Sequence, residues 1–500
     1  MIYLDNAATS RFKPQTVLRA VINELKNGAN PGRGAHSDSI RAAAAVMNAR
    51  AAVRTLAGDP QAEVVFTKNC TEALNLAIFG TLKNGGHIIA TDNEHNSVLR
   101  PLFELKRLGK IRLTILPSGQ YGAPSAKDVE NALTPETYLV CVNHISNVTG
   151  AKADVRSIGR LTAERGILLL VDGAQSLGHA EIDMKKYGID MLAAAGHKGL
   201  HGPQGTGFLA FNRGLAAAEN NTFYGGIALQ NYEENNGGVN GIESQNDERN
   251  NGFFNGIESQ NYEKNNGVVN GAKTQNYEEN NTEKNGLFRG IVPRNNAENG
   301  EPFKSIAPQN YDENKVILNV GNNAENTVFQ ERKKSGFSGK ITLKPILFGG
   351  TGTASDSVYQ PSSAPEAFES GTVNTPGICG LAEGIKWTLE NKKEIEEKIR
   401  VLSRELLNGL ASIKKVILYT AQNDLNGVVS FNVEGMTSSD AGDILNENYG
   451  IAVRTGLHCA PLVHNRLKTL KNGAVRVGIG YVNTRSDIKK LLSAVNDMTR

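Results

Sequence analysis

Asp172 and Lys198 are the residues of this chain whose type and placement speak most directly of chemistry. Residues 167–171 are five consecutive apolar side chains following Gly166, and Asp172 comes next. Such a run reads as a strand buried on both faces, and an acid at its end points into the crevice where open α/β sheets bind ligands. A second apolar run, 191–195, leads to Lys198, which stands among Gly196, His197 and Gly199. An unpaired carboxylate or ammonium in so apolar a setting is costly, so the two read as an active site in preference to a structural ion pair. An acid and an amine delivered by neighbouring strands predict pyridoxal 5'-phosphate (PLP) chemistry. The rest of the chain must then supply a phosphate cradle, a group that stacks on the ring and a substrate clamp.

Three further positions bear on this. Thr71 opens a helix, where free N–H groups and the helix dipole favour an anion; a plain N-cap is the competing reading. His95 lies just past a strand end. Cys459 sits beside His458 and five residues after Arg454, and nearby cations favour the reactive thiolate. Of the other cysteines, Cys141 and Cys379 lie in apolar or helix-entry contexts and read as inert, and Cys70 reads as packing.

The elements that would position these residues alternate regularly. Strands are expected at 64–67, 87–91, 111–116, 138–143, 167–171, 191–195 and 207–211, with helices at 14–26, 40–57, 73–82, 99–108 and 155–165 between and before them. This alternation predicts an α/β fold, a mainly parallel seven-stranded sheet covered by helices. After a long amphipathic helix, roughly 377–410, strands at 416–420, 427–433, 451–454 and 474–479 indicate a smaller α+β C-terminal domain. The expected division is 1–214 and 342–385 for the large domain and 386–500 for the small one.

Residues 215–341 interrupt this pattern. They are rich in Asn, Glu and Gly, and Gln230-Asn231-Tyr232-Glu233 recurs at 260 and 275 and, as Gln245-Asn246-Asp247-Glu248, at 245, with degraded copies as far as 309–312. The segment reads as a disordered low-complexity insertion, because it offers little apolar material to offset chain ordering. A small repeat module with Asn-Gly turns is the alternative. Lengthening a loop by ~120 residues costs only about 2 kcal/mol, so the core is expected to fold around it.

Fifty-four basic and 51 acidic side chains leave a net charge of +3, which gives no support to nucleic-acid binding. No apolar run is long enough to span a bilayer, and no secretory leader pattern stands at the N-terminus. Four scattered cysteines are not a disulfide framework. A cytoplasmic protein is expected.

The chain resembles the PLP-dependent class V aminotransferase superfamily, and within it the cysteine desulfurases of the short-loop, group II type. The motifs that carry the resemblance run in order: LDNAAT at 4–9, NPGRGAH at 30–36, TEALN at 71–75, EHNSVLRP at 94–101, HISNVTG at 144–150, VDGAQ at 171–175, GHKGLHGPQGTG at 196–207, FESGTVNTPG at 368–377, RTGLHCAP at 454–461 and GAVRVGIGYVNT at 473–484. The resemblance implies PLP fold-type I and a homodimer. It gives Lys198 the role of covalent cofactor carrier and proton shuttle, and Asp172 that of partner to the pyridinium nitrogen. Gln175 would bond the phenolic oxygen and His95 would stack on the ring. Thr71 and His197 would hold the phosphate, joined by Thr372 from a neighbouring subunit. Asn147 and Arg476 would bind the substrate carboxylate, with Arg33 and Arg454 lining the entrance. Cys459 would take sulfur from L-cysteine as a persulfide, leaving alanine, and pass it to a sulfur-acceptor protein, as in iron–sulfur cluster assembly. No metal is implied. Two positions depart from the family pattern: Ala195 replaces a phosphate-binding Ser or Thr, and Gly478 replaces a Ser. A selenocysteine lyase acting on L-selenocysteine, or another PLP-dependent lyase or aminotransferase, is the rival within enzymes. A non-catalytic interaction protein that binds through the repeats is the rival outside them.

Overall fold

The fully apolar runs near the middle of the chain become the centre of a sheet because both of their faces are covered. The computed structural model describes residues 1–32, 34–119, 122–216 and 341–500. In chain order the elements are β1 (Ile2–Tyr3), α1 (Gln15–Lys26), α2 (Ser37–Ala57), β2 (Glu63–Thr67), α3 (Cys70–Gly80), β3 (His87–Thr91), α4 (Asn96–Arg107) and β4 (Arg112–Leu116). They continue with α5 (Ala126–Ala132), β5 (Thr137–Asn143), α6 (Val155–Glu164), β6 (Leu168–Asp172), α7 (Met184–Tyr187), β7 (Met191–Ala195) and β8 (Gly207–Phe211). After the undescribed stretch come α8 (Thr375–Glu390), α9 (Lys392–Ser412), β9 (Val416–Leu418), β10 (Val428–Val433), α10 (Ser438–Tyr449), β11 (Ile451–Ala452), α11 (Pro461–Arg466), β12 (Val475–Gly478) and α12 (Arg485–Met498).

The main sheet has seven strands in the order β2-β8-β7-β6-β5-β3-β4. All its pairings are parallel except those of β8, which runs antiparallel to both β2 and β7. The expected α/β architecture is therefore present. Alternate residues of the central strands feed two cores. Val140, Val142, Leu169, Val171, Leu192 and Ala194 pack on one face, and Leu139, Cys141, Leu170, Met191 and Ala193 on the other. This is the period of two that a strand imposes on its side chains. Burying one Leu or Val is worth about 1.5–3 kcal/mol, so a register slip in any of these strands is strongly disfavoured.

A three-stranded antiparallel sheet, β12-β10-β9, forms the C-terminal layer. Its core joins Leu402, Leu406 and Leu410 of α9 to Phe431, Val475, Val477 and Leu491. The single helix expected over 377–410 is in fact two. The break falls at Asn391, whose φ of −104° leaves the helical range and whose Nδ2 donates to the Trp387 carbonyl at 2.7 Å. An Asn side chain competing for backbone acceptors in this way is a common cause of helix interruption. The short helices α5 and α7 were not anticipated. The repeat-bearing part of 215–341 lies outside the described residues, as does Arg33.

β1 crosses the chain's length to pair in parallel with β11, placing Ile2 opposite Ile451. The segment after it then runs to the main sheet, where Ser10 N–H donates to the His197 carbonyl at 2.9 Å.

Candidate active site

β6 and β7 are parallel neighbours, with Asp172 opposite Ala193, and β5 on the other side sets Asn143 opposite Asp172. Asp172 is thus the last residue of a central strand, and Lys198 follows β7 by three positions. The turn between them needs Gly196: a Cβ there would stand 2.2 Å from Thr206 Oγ1, closer than any side chain tolerates.

A cavity of about 470 Å³ opens at these strand ends and brings together Thr71, His95, Asn147, Asp172, Gln175, His197 and Lys198. Seven of the residues expected at the site therefore converge. Thr71 is not the helix cap. Asn69 is, its side chain accepting from Glu72 N–H at 3.0 Å, which leaves the Thr71 hydroxyl free to meet Ser97 Oγ at 2.8 Å. Ser97 also lies 2.8 Å from His95 Nδ1, and its N–H donates to the same nitrogen at 3.0 Å. Because Nδ1 accepts, Nε2 carries the ring proton. Burial pushes His95 down to about 4, so the ring is neutral at pH 7. Ser97 was missed by the sequence reading although it lies within the EHNSVLRP motif. Cys70, Asn143 and Ala195 line the cavity as well.

Asp172 is held by one oxygen. Oδ1 accepts from Ala174 N–H at 2.9 Å and from the Cys70 thiol at 3.5 Å, and Oδ2 has no hydrogen-bond partner among the described residues. Burial, and after it the Asp172 charge, raises Cys70 well above its ordinary value, so the thiol stays protonated and donates. Cys70 therefore does more than pack. Burial lowers the Lys198 ammonium, against the opposing pull of Asp172, which favours a neutral amine. Burial and the neighbouring Lys198 bring His197 to about 4. Gln175 Nε2 donates to the Ala7 carbonyl at 2.9 Å.

Two of the residues expected to bind substrate, Arg454 and Arg476, lie in the C-terminal layer, where they face each other across a β-bridge. Arg476 is buried; its Nη1 donates to the Asn147 carbonyl at 3.1 Å and its Nη2 pairs with Asp5 at 3.1 Å. Arg454 exchanges backbone hydrogen bonds with Arg476 while its side chain is exposed. Cys459 is exposed, and its carbonyl accepts from Asn96 N–H at 2.8 Å, immediately beside His95. The preceding carbonyl, of His458, accepts from Asn147 Nδ2 at 2.6 Å. Both His458 and Cys459 adopt left-handed backbone, with φ of 48° and 58°. Thr372 is not brought to the cavity by its own chain. It is exposed and lines other cavities, with Lys68 and Ser370 on one side and Arg50 and Thr353 on another. Arg33 lies outside the described residues.

The cavity is polar and under-satisfied. Asn143 Oδ1, Asn147 Oδ1 and His197 Nδ1 are buried without partners among the described residues, which a polar guest would correct. The start of α3 offers N–H groups to an anion, Asp172 Oδ2 offers a carboxylate to a cationic ring nitrogen, and Lys198 offers an amine to a carbonyl carbon. These are the demands of PLP, and the residues present fit it.

Strand-end acid, strand-end lysine and helix-start anion cradle on a seven-stranded α/β sheet define an enzyme scaffold of PLP fold-type I. The chain belongs to the class-V aminotransferase family, whose sequence profile matches residues 2–248 and 338–491. A probable cysteine desulfurase of Methanothermobacter thermautotrophicus is 28% identical over 497 residues, covering 98% of this chain and 92% of the relative. A probable cysteine desulfurase of Aeropyrum pernix is 40% identical over 220 residues, 43% of this chain and 53% of the relative. Among solved structures, the apo cysteine desulfurase of Thermococcus onnurineus NA1 is similar with a TM-score of 0.69 and 26% identity, covering 100% of this chain and 94% of that one.

Proposed function

We propose that the chain is a PLP-dependent cysteine desulfurase. In the net reaction the carbon–sulfur bond of L-cysteine breaks, a sulfur–sulfur bond forms at Cys459 Sγ, and the substrate carbon takes up the proton that the thiol gives up. The products are L-alanine and a Cys459 persulfide, and no external oxidant or reductant is needed. The observation that carries the reading is the hydrogen bond from Asn96 N–H to the Cys459 carbonyl, which ties the thiol's backbone to the residue beside His95 at the cavity.

PLP, when bound, supplies an electron sink for the negative charge that develops on the substrate carbon. Asp172 would face the ring nitrogen with Oδ2 while Ala174 and Cys70 hold Oδ1. His95, neutral and oriented by Ser97, would cover the ring face. Thr71, His197 and the start of α3 would hold the phosphate, with Gln175 on the phenolic oxygen. Lys198 would carry the cofactor and then move protons at Nζ, a task that its lowered basicity suits. Arg476 and Asn147 would take the substrate carboxylate, with Asp5 already positioning the guanidinium and Arg454 and Arg33 toward the entrance. Thr372, exposed in its own chain, would complete the phosphate site of a second copy, so the working form is a homodimer. A cytoplasmic sulfur-acceptor protein would receive the persulfide sulfur.

Alanine release from L-cysteine and L-selenocysteine, measured on PLP-loaded wild type and Cys459→Ser, tests this. The expected result is alanine and a persulfide from cysteine in wild type, and loss of the persulfide with an unchanged cofactor spectrum in the variant. Full turnover of cysteine by Cys459→Ser would overturn the sulfur-transfer reading. Selenocysteine turnover indifferent to the variant would favour the lyase.

A further inference from the structure

The segment that carries Cys459 is gripped at two points by a single stretch of chain, the loop that leads from β3 into the first residue of α4. At one end, the Cys459 carbonyl accepts from Asn96 N–H. At the other, Arg466, the last residue of α11, places Nη1 on Asp92 Oδ1 and Nη2 on Asn93 Oδ1, the latter at 2.8 Å. The ion pair is well covered, with side-chain exposures of 13% for Arg466 and 12% for Asp92. Its receiving end is fixed in turn. Asp92 Oδ1 also accepts from Ser118 N–H and Oγ–H, and Asn93 Nδ2 donates to the Gly122 carbonyl. His95 lies between the two grips. Residues 92–96 therefore set the imidazole directly and the thiol segment through both of its ends.

The need for such a grip is visible in the backbone. His458 and Cys459 are consecutive non-glycine residues in left-handed conformation, which the surrounding structure must maintain. A bidentate guanidinium fixes direction as well as distance, which a single hydrogen bond does not.

We infer that Arg466 is a positioning residue that fixes the Cys459 segment against the residues flanking His95. The inference rests on Cys459 being the sulfur-accepting thiol, but its geometric content does not. The test uses the full chain loaded with PLP, as wild type, Arg466→Met and Arg466→Lys. It reads kcat and KM for alanine formation from L-cysteine, the absorbance of the bound cofactor, and amide hydrogen exchange at Asn96. In Arg466→Met, kcat is expected to fall about 10- to 100-fold, the cost of a thiol misplaced by an ångström or so. KM and the cofactor spectrum should stay within about twofold of wild type. Exchange at Asn96 should quicken, because its acceptor is no longer held. Arg466→Lys, which keeps the charge and the aliphatic stem but loses the fork, should fall between and serves alone if the Met variant does not fold. An unchanged kcat would overturn the inference, as would a parallel loss of kcat, cofactor binding and thermal stability in both variants. If wild type itself makes no alanine, the desulfurase reading fails and exchange decides the clamp: faster exchange at Asn96 upholds it, and unchanged exchange overturns it.

Discussion

Glu94, one residue before His95, is fully buried and half satisfied. Its Oε1 accepts from Thr91 Oγ1 at 2.6 Å and Asn143 N–H at 2.8 Å, while Oε2 has no partner among the described residues. Burial raises its carboxyl to about 8 from an ordinary 4.5. The folded state therefore holds a proton that the unfolded state has released, and stability falls as pH rises from about 4.5 through 8. The buried histidines slope the other way. His197, His201 and His464 are each lowered to about 4, so they oppose folding only as pH drops below 6.5. Between pH 6.5 and 8 the Glu94 effect is the clearer of the two. Glu94→Gln, which stays neutral, is expected to flatten the fall in thermal midpoint across that interval; an equal fall in both proteins would contradict the buried-acid assignment. Cys70 offers a second prediction. Replacing its thiol by Ala removes one weak donor from Asp172, an effect of about 1 kcal/mol or roughly fivefold in PLP affinity. Cys70→Ser keeps a donor and should restore affinity. Equal losses in the two variants would mean packing alone.

At the scale of elements, the site depends on turns that allow little change. Gly196→Ala places a Cβ against Thr206, and relieving such overpacking costs about 1–3 kcal/mol. Because this turn carries His197 and Lys198, PLP retention should fall before global stability does, which a cofactor titration alongside a melting curve would show. The central strands β6, β7 and β8 were legible in the sequence because both faces of each are apolar, a pattern few other elements produce. The strand-end residues were legible for the same reason, since Asp172 and Lys198 interrupt apolar runs. The break at Asn391 was not legible, because an amphipathic pattern runs through it and only the side-chain bond to Trp387 marks the interruption. Ser97 and Cys70 escaped as well. Ser97 matters through its contacts to His95 and Thr71, and Cys70 through its contact to Asp172, none of which sequence spacing encodes. Arg466 reaches residues more than three hundred positions away, and nothing local in α11 announces it.

At the scale of the whole molecule, the described chain closes on itself where residues 217–340 depart from it. Leu343 N–H donates to the Leu215 carbonyl at 2.9 Å, and Lys344 N–H to the Gly80 carbonyl at 2.9 Å. The ends of the long segment thus meet within one hydrogen bond. Replacing 217–340 by a few glycines should preserve the fold and yellow PLP binding, and removing so long a loop should raise stability by about 2 kcal/mol. A colourless or insoluble product would show that the segment contributes to the core. The pairing of β1 with β11 has a consequence in time. A ribosome releases Ile2 hundreds of residues before Ile451, so the first strand must wait unpaired while the whole of the large sheet is made. Until β11 arrives, nothing holds Asp5 opposite Arg476. The large sheet can assemble early, yet the substrate end of the site cannot be complete before β11 and β12 emerge, and a partly made chain would be able to bind cofactor without being able to turn over substrate.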